Sequence, residues 1–263
     1  MKHNLKFISE LIKFRLSHIM TFRLGFFAPF FINTSYFLVQ LFAFEAIYGH
    51  VDSIRGWGHG EILIFIGTFS LIDALNMTIC FFGVISIPEK IQTGELDLYL
   101  TKPVNPLLRI TFEKVDPGTI PLLIFSACIA LYGVRESGAN LSYANIIGYL
   151  FLVLLMTILY YDMELLIRCF AFFVFSVDNL MKIENTAVDL CLKIPGIAFY
   201  GIYKFVFYCV LPYGIIATLP TQAVTGVLSA KGFLFGVAIV CIFTFFALSF
   251  WTYGVHRYES ASS

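Results

Sequence analysis

The sequence predicts an all-α, polytopic membrane protein, and three observations carry that reading. Hydrophobic residues make up 59% of the 263 and charged ones only 13%, with mean hydropathy +0.85. A soluble domain is nearer half apolar and a quarter charged. Several apolar runs approach or exceed the roughly 20 residues that a helix needs to cross a bilayer, and the polar residues gather in short connectors between them. Lipid is therefore the solvent for most of the chain, and the bilayer is its first partner.

Residues 1–23 read as an amphipathic interfacial helix. Leu5, Ile8, Leu11, Ile12, Leu16 and Ile19 recur at three-and-four spacing, with Lys2, Lys6, Lys13, Arg15 and Arg23 among them. A cleavable signal would instead place its charges first and its apolar run directly after. Such a helix lies along the membrane surface with its basic residues toward headgroups. The first span follows at 24–48, with Asn33 and Gln40 on one face. The five basic residues ahead of it put the N-terminus in the cytoplasm. Residues 49–60 are then an outer loop, whose histidines are too scattered for a metal site.

The second span, 61–87, carries Asp73 and Asn76 on one face. A mid-membrane carboxylate is expensive unless paired or wet, so Asp73 points inward, to a partner helix or to a conduit. The chain then returns to the cytoplasm at 87–109, IPEKIQTGELDLYLTKPVNPLLR, the longest polar connector. Pro88 begins a short helix here, decorated by Glu89, Lys90, Gln92, Glu95 and Asp97. Thr93 and Gly94 offer a turn, Leu96, Leu98 and Leu100 give an apolar side, and Pro103 and Pro106 stop helix propagation.

A third span at 119–134 is interrupted by Pro121, and a fourth starts at 143 and is secure to 161. Asp162, Glu164 and Arg168 follow; the last two are four apart, in the order that favours a helical ion pair. In 178–193, Asp178, Lys182, Asn185, Asp189 and Lys193 form one helical stripe. That segment is an interfacial helix showing its wet side, or a short buried helix whose stripe lines a pathway between two subunits. Hydropathy alone places the fifth span at 196–219. The last span is 232–255, with Trp251, Tyr253 and Tyr258 at the interface and a short cytosolic tail.

Two blocks carry a family resemblance. IQTGELDLYLTKPVNPLL closely resembles the stretch R-x-I-x-x-G-x-L-x-x-x-L-x-K/R-P-x-x-P of ABC-2-type exporter permeases. Ile194-Pro195, Val210-Leu211-Pro212-Tyr213 and Leu219-Pro220-Thr221-Gln222-Ala223 with Gly226 look like the late segment of one ABC-2 subfamily. That subfamily tends to carry tryptophan where this chain has Phe173 to Phe175. The resemblance implies six spans of ABC-2 type, with 176–194 as the fifth and a re-entrant hairpin at 195–227. We prefer this to the hydropathy assignment, because proline-broken apolar sequence suits a segment that dips and returns. The resemblance also implies that 87–109 touches an ATPase, making Glu89, Lys90, Gly94, Glu95, Leu96, Asp97, Leu98 and Pro103 coupling residues. Candidates for a translocation path are Asp73, Asn76, Asp162, Glu164, Arg168, Asp178, Lys182 and Asn185.

The chemistry that is missing narrows the function. The formal net charge is +0, so no basic surface speaks for nucleic acid. The six cysteines are scattered singly, which indicates neither a zinc site nor a disulfide framework. No phosphate-binding loop and no hydrolase or metalloprotease motif appears, so no catalytic residue is expected. ATP and magnesium would sit on a separate ATPase. Three functions then compete: an exporter permease in the cytoplasmic membrane, a secondary transporter using Asp73, Asp162 or Glu164 as proton carriers, and a membrane enzyme. A secondary transporter often shows internal repeats, and the two halves of this chain do not match. An enzyme would gather His, Asp or Glu at one depth, and the histidines are dispersed. The permease reading is preferred: a pair of permeases, identical or sister subunits, on an ATPase dimer, exporting an amphipathic or lipid-like substrate.

Overall fold

The computed structural model describes residues 53–139 and 141–258, together with Phe31, Ile32, Thr34, Ser35, Leu38, Val39, Phe42, Phe44 and Ala46, all nine of them helical. The expected interfacial helix 1–23 and most of the first span, including Asn33 and Gln40, lie outside the described residues. Everything regular that is described is helical, apart from a single isolated bridge between Ile54 and Trp57.

Helix α1 (His59–Asn76) starts where the Glu61 carboxylate accepts the Gly58 N–H at 3.0 Å, which satisfies one of the amide donors that a helix start leaves open. It runs on through a π turn, Met77–Phe81, and a last α turn, Phe82–Val84. Next come α2 (Ile87–Gln92), α3 (Asp97–Leu100) and α4 (Pro106–Phe112). Pro88 sits in the first turn of α2, where its missing N–H is harmless. Pro106 does the same for α4, and Asn105 caps that helix by accepting the Leu108 N–H at 3.2 Å. Thus Pro106 opens a helix as well as closing the segment before it.

Helix α5 (Ile120–Glu136) returns antiparallel to α1. Pro121 lies in its first turn and does not interrupt it, a correction to the sequence reading. The two helices touch through small residues. A methyl group on Gly67 would lie 2.5 Å from the Ala130 nitrogen, and one on Gly133 2.6 Å from the Ile64 nitrogen. Small residues let backbones approach this closely where no water drives helices together. His59 and Glu136 pair at the far end of this hairpin, at 2.7 Å.

Helix α6 (Tyr143–Cys169) is the central post, packed against α1, α10 and α11. Its 27 residues carry the Tyr160–Arg168 polar group inside one continuous helix. Then follow α7 (Asp178–Lys193), α8 (Gly201–Phe205) with a π turn Val206–Val210, α9 (Tyr213–Ile216), α10 (Thr218–Val224) and α11 (Ala230–Arg257). Among the described residues, four helical segments are long and apolar enough to cross a membrane: His59–Gln92, Pro117–Glu136, Tyr143–Phe172 and Ala230–Arg257. Gly201–Val210 and Tyr213–Val224, bent by 80°, make a fifth if they count as one span. Exposed Ile124, Leu131, Ile147, Leu154, Phe245 and Phe246 give these spans an apolar outer surface, as a bilayer requires.

Candidate functional site

Two constellations hold most of the sequence-predicted residues, and both meet the C-terminal part of α6, one through Leu165 and Cys169 and the other through Tyr160, Glu164 and Arg168. The first is the segment 87–112, which is folded onto the end of α6 and α11 and does not hang free. Ile87, Ile91, Leu96, Tyr99, Leu107 and Ile110 join Leu165, Cys169, Ala247 and Trp251 in one core cluster. Gly94 makes this possible. At φ +75° it takes a left-handed turn that glycine adopts without strain, and the Leu96 N–H then reaches back to the Lys90 carbonyl at 3.0 Å.

Lys90 ties the segment together from inside. It is 4% exposed and meets Glu95 at 3.1 Å, Glu113 at 3.0 Å and the Tyr99 hydroxyl at 2.7 Å. Tyr99 donates in turn to Glu113 at 2.7 Å, and its ring lies 4.5 Å from both the Lys90 ammonium and the Arg109 guanidinium. The hydrogen bond from Lys90, with its charge, holds the Glu95 carboxyl below the ordinary carboxylate range. Burial pushes the Tyr99 phenol up.

The eight residues expected to face an ATPase therefore separate. Glu89, Glu95, Leu98 and Pro103 are exposed, Gly94 and Asp97 half-buried, and Lys90 and Leu96 buried. The expectation that Leu96 and Leu98 share one apolar docking side is corrected: Leu96 is 0% exposed and belongs to the chain's own core, whereas Leu98 is 60% exposed. Gln92 also donates to the Phe175 carbonyl at 2.6 Å, which puts the loop after α6 beside this face.

The second constellation is a polar network inside the helices. The Tyr160 hydroxyl donates to Asp73 at 3.1 Å, Asn76 donates to Glu164 at 2.9 Å, and Tyr213 donates to Glu184 at 3.0 Å. Arg168 pairs with Glu184, and its guanidinium also reaches the Glu164 carbonyl at 3.3 Å. The Tyr160 and Tyr213 rings meet edge to face with centroids 5.8 Å apart, linking the two ends. The expected Glu164–Arg168 ion pair is corrected: α7 supplies a better-placed acid, and the Glu164 carboxylate turns to Asn76. The network adjoins the π turn at Met77–Phe81, an irregularity frequent at functional positions.

Glu184, Tyr160 and Tyr213 are the members that sequence reasoning missed. A signal for Glu184 was present, since Ala187 and Cys191 stand three and seven residues on and mark a packed face. Those three, with Leu192, are the buried residues of α7. Asp178, Lys182 and Asn185 are exposed on the other side of α7 and are not brought to the network. Asp162 points elsewhere on α6 and accepts from Thr244 of α11 at 2.5 Å.

A multi-pass helical chain with a folded connector on one end and an interior lined with acids has the character of a transport subunit. The family profile described as ABC-2 family transporter protein matches residues 34–262, most of the chain. The protein belongs to that family, whose members are membrane subunits of ABC transporters that usually work with an ABC ATPase. Neither a curated protein nor a solved structure matches it.

Proposed function

We propose that this chain is an exporter permease of the cytoplasmic membrane, driven by a separate ATPase dimer that binds ATP and magnesium. The observation that carries the reading is the segment 87–112. It presents Leu98, Glu89 and Glu95 outward while Ile91, Leu96 and Tyr99 fix it to the ends of α6 and α11. A push on such an element moves spans and is not absorbed by a loop. Six spans run 24–48, α1, α5, α6, α7 and α11, with residues 1–23 along the inner surface and both termini cytoplasmic. Residues 195–227 form the re-entrant hairpin. Three contacts support its dip and return: Tyr200 lies 5.4 Å under Arg55 of the outer loop, Tyr213 reaches Glu184 inside, and Gly226 comes back to Asn145 near the start of α6.

The polar face of α7 is too charged for lipid. It is turned toward a second permease, identical or a sister subunit, with the path between them. Closure of the ATPases on ATP rocks α1, α4 and α6 through the 87–112 segment and opens that path outward for an amphipathic or hydrophobic substrate. The test is co-purification of the permease with its ATPase in mild detergent: the wild-type chain retains it, and Leu98→Asp does not, although both accumulate equally. Equal retention would remove the coupling role of this face.

A further inference from the structure

The interior acids Asp73, Glu164 and Glu184 all accept hydrogen bonds inside the network. Asp162 does not belong to it. Although only 1% exposed, it has the Thr244 hydroxyl as its one hydrogen-bond partner and no ion pair among the described residues. It also lines a cleft of about 270 Å³ between α1, α4, α6 and α11. Leu108 and Phe112 of α4, Ile158 of α6 and Leu248 of α11 wall that cleft. Thr111 and Tyr161, hydrogen-bonded to each other at 3.0 Å, occupy one side with their hydroxyls already engaged. The walls are thus apolar, and among the described residues the carboxylate is the one anionic group lining them.

We propose that this cleft binds a cationic amphiphile, with an ammonium head on Asp162 and a single apolar tail along Leu108, Phe112, Ile158 and Leu248. A carboxylate at membrane depth is costly without a cation or several donors, and the chain supplies one hydroxyl. An ammonium supplies both the charge and the missing donors. An anionic amphiphile is repelled, and a neutral one gains the walls alone. The volume sits at the small end of ligand sites, which run about 300–1,000 Å³. With about 30 Å³ per water-sized group, it takes a short single chain and not a bulky polycycle. Leu108 and Phe112 face the cleft while Leu107 and Ile110 of the same helix sit in the core with Leu96. Any movement of the 87–112 segment therefore reshapes the site.

This deepens the permease reading by naming a ligand class, but its test needs neither ATPase nor transport, so the two fail separately. The purified full chain in nanodiscs of neutral phosphatidylcholine is titrated at pH 7 with octylamine, octanol and octanoate, and thermal unfolding is followed. The expected result is a saturable rise in Tm with octylamine at concentrations where octanol and octanoate give none. Asp162→Asn weakens that response at least tenfold. Leu248→Trp fills the cleft without touching the charge and abolishes the response, so it decides the matter if Asp162→Asn does not accumulate. Equal shifts for amine and alcohol in the wild type, or an octylamine response that survives either Asp162→Asn or Leu248→Trp, would overturn the proposal.

Discussion

Arg168 forms its ion pair from α6 with Glu184, sixteen residues on in α7, and not with the Glu164 carboxylate one helical turn away. Both partners are buried, so their mutual attraction has to offset two desolvations, and the pair is worth less than the loss of either member. Arg168→Met should lower stability by about 3–5 kcal/mol, because it leaves an unpaired carboxylate inside. The double replacement Arg168→Met with Glu184→Gln should recover most of that. Thermal unfolding of the four proteins of this cycle in detergent checks it; equal damage from the single and double changes would mean that the pair is incidental.

The two leucines of the connector give a second contrast. Leu96→Asp puts a charge into the core beside Ile91 and Tyr99 and should destabilise by on the order of 4 kcal/mol, seen as poor accumulation. Leu98→Asp, on the surface, should change stability by less than about 0.5 kcal/mol. Glu95→Gln should be mild, since a partly exposed ion pair contributes only about 0.2–1 kcal/mol. Expression level and Tm separate the three.

Helix contact through glycine predicts a third pair. Gly67→Ala must push α1 from α5 and should cost about 1–3 kcal/mol. Gly148→Ala, on α6 with nothing within 4 Å of the added methyl, should be neutral or stabilising by up to about 1 kcal/mol through helix propensity. Similar losses at both positions would contradict the close α1–α5 approach.

Asp73 tests the interior network as a path. Asp73→Leu should impair transport while leaving accumulation largely intact, because the side chain is half-buried and, among the described residues, has one hydroxyl partner and no ion pair. A parallel loss of protein and activity would mark it as structural.

These contrasts also mark what the sequence could tell. The start of α2 at Pro88, the inward face of α1 and the amphipathic stripe of α7 follow from proline chemistry and helical period, and all three are legible in the residues. The fate of Leu96 and Leu98 is not, because period predicts side-chain direction only within a regular element, and Gly94 reverses the chain just before them. Arg168 illustrates the other limit. Spacing along one helix nominates Glu164, but a buried guanidinium takes whichever carboxylate the tertiary packing brings to its fork. Glu184 stands off the charged stripe of α7, on the face of Ala187 and Cys191, and its pairing with Arg168 became visible only with α6 and Tyr213 beside it.

The central claim, that energy enters this chain from a separate ATPase through the face at Leu98, has one most direct measurement. The permease and its ATPase are co-reconstituted in nanodiscs, and ATP hydrolysis is recorded with the wild-type chain, with Leu98→Asp and with no permease. The account predicts that the wild-type chain changes the hydrolysis rate, and that Leu98→Asp gives the rate of the ATPase alone while folding normally. Hydrolysis equally altered by both chains, or substrate movement by the purified chain with no ATPase present, would contradict it and make a secondary transporter the better description.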